Sequence, residues 1–251
     1  MCIRDRYYYC YKAITETGEE QWFTPLREAI AKHQHRFPPT ERRDILLLAI
    51  NYCILRLNTG SPIFIREALE LYRLSLDEGV LLQDGVLPES TFNNILMLAS
   101  RLKEFDWAYQ FVEQNRQFLK PVFQDPLYYF SLGKLHYEQG RYDESLRSLA
   151  MVDTKTSFLL LGTKTLQLKI FYEQNEFDAL ESLLETLRVY LQRRKDLGYR
   201  KTVYGNFFSF VRKLLDKELF SQKEREAFIK EVKATKKFSE KEWVLKQLNA
   251  D

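Results

Sequence analysis

Lys103-Glu104-Phe105-Asp106-Trp107-Ala108, Gly140-Arg141-Tyr142-Asp143-Glu144-Ser145 and Asn175-Glu176-Phe177-Asp178-Ala179-Leu180 are three versions of one phrase. Each sets an aromatic-Asp pair behind a polar turn, and the pairs recur 37 and 35 residues apart. A fixed period of this size marks a stacked array whose repeating unit cannot bury its apolar face alone. Here the unit is a pair of helices around a turn. The expectation is an all-α fold of antiparallel helix pairs, which offers a surface for holding a partner rather than a pocket for chemistry.

The residues around each turn follow helical spacing. Before the first turn, Phe92, Ile95, Leu96 and Ala99 share a face; after it come Ala108, Phe111, Val112 and Phe118-Leu119, and Pro121 closes the unit. The second unit pairs Tyr129, Leu132, Gly133, His136 and Tyr137 with Ser145, Leu146 and Leu149. The third pairs Leu168, Phe171 and Tyr172 with Leu180, Leu184 and Leu187. Ala108 and Ser145 are small where paired helices should cross closely. Leu180, at the same place in the third unit, predicts a looser crossing.

Helix pairs extend the array both ways. Residues 7–37 read as a pair broken near Thr17-Gly18-Glu19; Thr24-Pro25 starts its second helix, which turns Leu26, Ala29 and Ile30 inward and stops before Pro38-Pro39. A helix from Thr40 ends at Asn58-Thr59-Gly60-Ser61-Pro62, and its partner carries Ile65, Ala68, Leu69, Tyr72 and Leu76. Gly79 to Pro88 is a connection, either a short two-stranded element or a loop. Past Lys195 the repeat fades into a helix from Tyr199 to Leu219, another after Ser221, and a last one opened by a Ser239/Glu242 capping box. The organisation is therefore a non-native segment at 1–6, divergent helix pairs at 7–89, the repeats at 90–190, and basic capping helices at 191–251. Met1-Cys2-Ile3-Arg4-Asp5-Arg6 resembles a translated sequencing-adapter remnant, which would place the true N-terminus upstream.

Composition narrows the classes. Only 9 Gly and 7 Pro occur in 251 residues, too few for the tight turns of an all-β fold. The 15 Tyr and 18 Phe read mostly as wedges between helices. Cys2, Cys10 and Cys53 are odd in number and lack metal-ligand spacing, so a reducing, cytoplasmic compartment is expected. Ile45-Leu46-Leu47-Leu48-Ala49-Ile50, the longest apolar run, is far short of a membrane span. No phosphate-binding Gly loop, zinc-binding His motif or nucleophile elbow is present, and no enzyme, cofactor or metal is expected. His33 and His35 point apart on a helix, and His136 stands at a packing position. Cys53 lies on an apolar face and reads as a buried thiol. Glu16, Glu19 and Glu20 read as a solvated turn.

Charge is uneven. The net is +3, but residues 188–250 hold 17 Lys/Arg against 8 Asp/Glu. Solubility of exposed terminal helices accounts for this most simply; an acidic partner is the second reading.

Tyr129-x2-Leu132-Gly133-x2-His136-Tyr137-x2-Gly140-x-Tyr142-x2-Ser145-x3-Leu149 resembles the tetratricopeptide-repeat superfamily at most consensus positions. His136 replaces an aromatic, and no Pro closes the unit. The units around Phe105 and Phe177 match less well, and the resemblance covers about residues 90–190. The chain is also similar to uncharacterised helical-repeat proteins of Bacteroidetes, through phrases such as Leu102-Lys103-Glu104-Phe105-Asp106-Trp107. The first resemblance implies a right-handed α-solenoid whose first helices line a concave groove. It carries the groove to Asn93 and Met97 in the first unit, Lys134 and Tyr137 in the second, and Lys169 and Tyr172 in the third. Amide, ammonium and phenol groups in a ladder would grip a peptide backbone and an acidic side chain or C-terminal carboxylate.

The expected function is a non-catalytic scaffold that binds a peptide or protein partner on that concave face. The alternative is a nucleic-acid-associated helical array using Arg193, Arg194, Lys195, Arg200, Lys201, Arg212 and Lys213. Base-reading repeats also run near this length, but these three irregular units carry no repeated base-reading pair. The protein partner therefore stands first.

Overall fold

A computed structural model describes residues 23–33, 38–153, 156–216 and 220–249. Residues 1–22, His35, the side chains of Ala29, His33 and Pro39, and Leu219 lie outside that description. So do the expectations for residues 1–6, Cys2, Cys10, Glu16, Glu19, Glu20 and the 7–22 helix. The described residues are all-helical: α1 (Phe23–His33), α2 (Pro39–Asn58), α3 (Phe64–Asp77), α4 (Glu89–Arg101), α5 (Phe105–Asn115) and α6 (Pro121–Glu138) lead to α7 (Tyr142–Ala150) and α8 (Ser157–Glu173). Then come α9 (Phe177–Arg193), α10 (Tyr199–Leu214), α11 (Gln222–Ala234) and α12 (Lys241–Asn249). The chain divides into two compact units, Met1–Glu138 and Gln139–Asp251. The division falls inside the 90–190 segment, immediately before the Gly140 turn.

Why the helices stop where they do is local chemistry. Lys103, Gly140 and Asn175 all adopt positive φ, at 58°, 71° and 58°. The next residues, Glu104, Arg141 and Glu176, share one conformation, with φ/ψ of −84°/59°, −88°/73° and −81°/63°. The Lys103 N–H donates to the Ser100 carbonyl and the Glu104 N–H to that of Ala99, each at 3.0 Å. Asn175 and Glu176 repeat this pair on Tyr172 and Phe171, at 3.2 and 2.8 Å. This is the Schellman closure, in which a left-handed residue lets the chain satisfy carbonyls left over at a helix end. The repeated phrase is thus a repeated backbone.

Glycine enters the left-handed region freely and asparagine with little penalty, whereas lysine incurs roughly 1–2 kcal/mol. Lys103→Gly should therefore raise the unfolding free energy by about 0.5–1 kcal/mol, after allowing for glycine's extra freedom in the unfolded chain. Urea denaturation of the two proteins checks this, and a loss of stability would mean that the Lys103 side chain supplies a compensating contact.

In the first unit, consecutive helices pack on one another, and α4 also touches α6. Phe23 stacks on Tyr52 at 5.3 Å, and Phe64 meets both rings edge-on. Leu26 and Ile30 are buried, as their spacing predicts. Cys53 is fully buried, and burial pushes its thiol up to about 12. Between α3 and α4 the chain makes no strand: Gln83 and Val86 exchange one pair of hydrogen bonds around Asp84 and Gly85, both at positive φ. That is a two-residue reverse turn of the kind Asp-Gly favours. Pro121 opens α6 instead of merely closing the unit before it, and Pro126 lies within the helix.

In the second unit, one apolar cluster joins α8, α9, α10, α11 and α12 through Leu168, Leu184, Phe207, Val232 and Trp243 among others. The Ser221 hydroxyl accepts from the Glu224 N–H, and the Glu224 carboxylate accepts from the Ser221 N–H, a capping box at the start of α11. The expected Ser239/Glu242 box is out of register: α12 begins at Lys241, with Glu240 accepting from the Val244 N–H. α10 ends at Leu214, short of the expected Leu219. Ala108, Ser145 and Leu180 are all fully buried at their equivalent places.

Candidate functional site

The six residues expected to form the groove sit on α4, α6 and α8. Asn93 and Met97 stand one turn apart on α4, both half-buried, and the Asn93 amide donates to the Glu89 carbonyl at 2.9 Å. Lys134, on α6, is also half-buried, whereas Tyr137 keeps only 8% of its surface. On α8, Lys169 and Tyr172 are 8% and 7% exposed.

The last pair is covered by the chain's own C-terminal residues. Lys169 Nζ lies 3.1 Å from the Glu240 carboxylate and 5.9 Å from the Trp243 ring centre. Tyr172 meets Trp243 edge-on at 5.4 Å and Phe177 at 6.3 Å. One residue further along, the Glu173 carboxylate accepts from the Trp243 indole N–H, the Tyr142 hydroxyl and the Gln247 amide. The physical reason is that α12, amphipathic and rich in large apolar groups, buries Trp243, Val244 and Leu248 in the second unit's core. Glu240 and Gln247 then fall beside the polar groups of α8. Lys169 and Tyr172 leave little surface for a partner.

The first unit carries a second charged feature that helical spacing alone does not announce. Glu104, in the first of the three turns, accepts from Arg73 and, at 2.8 Å, from Arg66, both on α3. Burial pushes its carboxyl up, but the two guanidinium groups outweigh this and hold it below the usual carboxylate range. Arg73 also pairs with Glu70 at 2.8 Å and lies 4.2 Å from the Trp107 ring centre. A depression of about 380 Å3 opens beside it, lined chiefly by Trp107, Phe111, Gln110, Gln114 and Gln117. The Arg73 terminal nitrogens pair with Glu70 and Glu104 while the guanidinium lies over Trp107, so the arrangement fastens a turn to the preceding helix pair.

His136 is half-buried and lies 5.8 Å from Tyr109, a packing contact between α5 and α6. Among the described residues no group of three His, Cys, Asp or Glu is placed to hold a metal ion. No described helix is long and apolar enough to cross a membrane.

Two members of the basic C-terminal set are neutralised locally. Arg194 pairs with Asp196 at 2.5 Å and donates to the Ser157 hydroxyl, and Lys213 pairs with Glu231 at 2.8 Å. Arg188, just before them, pairs with Glu185 at 2.6 Å. Such exposed pairs add little to stability, but they lower the net field a polyanion would meet. No family model, curated protein or solved structure matches the chain.

Proposed function

We propose that the protein is a non-catalytic interaction scaffold, built as a tetratricopeptide-like right-handed solenoid of antiparallel helix pairs, that holds a peptide or protein partner on the inner faces of its first helices. The observation that supports this reading most is the recurrence of one turn conformation at Lys103, Gly140 and Asn175, at the spacing of the repeats. The contact of α4 with α6 across α5 agrees with it, because first helices of successive pairs lie side by side in such an array. Asn93, Met97 and Lys134 offer a partner an amide, a pliable thioether and an ammonium. An ammonium there favours an acidic segment or a chain-terminal carboxylate, and the cytoplasm is the proposed compartment.

Selection from a random peptide display library tests the proposal. Acidic peptides should be enriched, their retention should weaken as salt rises, and Lys134→Glu should reduce their affinity by about tenfold, the worth of one charged contact. The helical content should stay unchanged. Equal retention by the variant would remove Lys134 from the surface. Lys169→Glu is the wrong probe, because it sets a carboxylate against Glu240 and disturbs the fold. If RNA were instead retained on a filter and released steeply by salt, the nucleic-acid reading would replace this one.

A further inference from the structure

α9 and α10 flank an open pocket of about 360 Å3 that the scaffold reading does not use. Its floor is apolar: Leu184 and Leu191 from α9, Phe208 from α10, and the bare backbone of Gly205. Its mouth carries three exposed cations, Arg188 from α9 with Lys201 and Arg212 from α10, and no acidic residue lines it. Arg188 is partly neutralised by Glu185. Among the described residues Lys201 and Arg212 form no ion pair, although Arg212 helps to hold the Glu185 carboxylate charged.

Gly205 is the unexpected part. It lies mid-helix, where glycine is about 0.5–1 kcal/mol worse than alanine. Its backbone is ordinary, with no positive φ, and an added Cβ would meet only the Leu191 Cδ1 at 3.9 Å, a normal contact. Neither strain nor crowding calls for glycine there. What its missing side chain does provide is the depth of the cavity.

We propose that this cavity binds a small amphiphilic carboxylate, a free molecule with a medium alkyl or aryl body and one anionic head. The volume lies at the small end of ordinary ligand pockets, and a mostly apolar wall with few polar groups is their usual lining. The apolar body rests on Leu184, Leu191 and Phe208, over Gly205. The carboxylate meets Lys201 and Arg212 at the mouth, where the guanidinium can take it through two parallel hydrogen bonds. A bare phosphate would leave the apolar floor unused, and a neutral lipid would leave the cations unused. The site lies wholly within the second unit and does not rest on the reading of α4 and α6.

Calorimetric titration of the full chain with octanoate, and separately with octanol, tests the proposal. Octanoate should bind saturably at one site, and octanol at least about tenfold more weakly. Gly205→Leu, which fills the floor, should abolish binding. Lys201→Glu and Arg212→Glu, both at exposed positions, should each weaken it by about tenfold. Gly205→Ala should stay folded and bind less tightly than the parent. If Gly205→Leu does not fold, the two charge reversals and Gly205→Ala decide the matter. No saturable octanoate binding, equal binding of octanol, or affinity unchanged in the charge reversals would overturn the site.

Discussion

Phe207→Ala is expected to remove about 3–5 kcal/mol from the stability of the second unit, the usual loss for a phenylalanine cut out of a close-packed core. The ring is fully buried and lies at the centre of an aromatic cluster, 5.8 Å from Phe208, 6.0 Å from Trp243 and 6.3 Å from Phe238. Those neighbours come from α10, from α12 and from the loop before it, so the cavity left behind cannot close without moving a helix. Trp243 makes the change visible. The chain has 3 Trp, and a Trp22→Phe, Trp107→Phe background leaves Trp243 as the sole indole. Its fluorescence through a urea titration then follows the second unit alone. Tyr199→Ala, at a side chain 69% exposed, should change almost nothing. A loss for Phe207→Ala below about 1 kcal/mol would place that ring outside the core.

Glu173→Ala should cost about 2–4 kcal/mol, because it strands three donors that face one carboxylate. The Trp243 indole, the Tyr142 hydroxyl and the Gln247 amide all point at Glu173, and Trp243 is nearly buried. Glu173→Gln keeps an acceptor and should cost less. Tyr142 adds a dependence on pH. Burial first, and then the hydrogen bond and charge of Glu173, push its phenol up to about 12 from an ordinary 10.0. The folded state therefore holds the proton more tightly than the unfolded chain does. That contribution is fully present below about pH 10 and is lost as pH climbs toward about 12. Comparing the parent with Tyr142→Phe between neutral pH and pH 11 checks the sign: the gap in stability should shrink as pH rises. A gap that widened would contradict the hydrogen bond.

The all-helical class and the positions of the turns were legible because they depend on local chemistry. Aromatic-Asp phrases and helical spacing are short-range signals, and the three turns share one set of backbone angles, although Leu180 stands where the first two units carry the small Ala108 and Ser145. Lys103 shows where local legibility weakens, since lysine gives no hint of the left-handed conformation that its phrase imposes. Ser221/Glu224 and Ser239/Glu242 present the same capping pattern, and only helix register decides that the first forms a box. Proline was equally ambiguous at Pro121, which reads as the close of one unit but is the first residue of α6.

The surface was harder to read, for a physical reason. Lys169 and Tyr172 occupy positions that a repeat pattern assigns to an open face. Whether they stay open depends on a segment about 70 residues further on, and Trp243 and Glu240 belong to a stretch with no repeat signal of its own. Long-range covering of this kind leaves no periodic trace. The cavity between α9 and α10 did leave one: Lys201, Gly205, Phe208 and Arg212 fall at helical spacing, and so do Leu184, Arg188 and Leu191. A glycine between cations on an otherwise continuous helix face was the available clue.

We place the partner on the inner faces of α4 and α6. Mapping chemical-shift changes in the full chain, on addition of an acidic peptide selected from a display library, tests it most directly. The changes should centre on Asn93, Met97 and Lys134 and largely vanish in Lys134→Glu. Changes confined to α11, or a pattern that Lys134→Glu leaves intact, would contradict it.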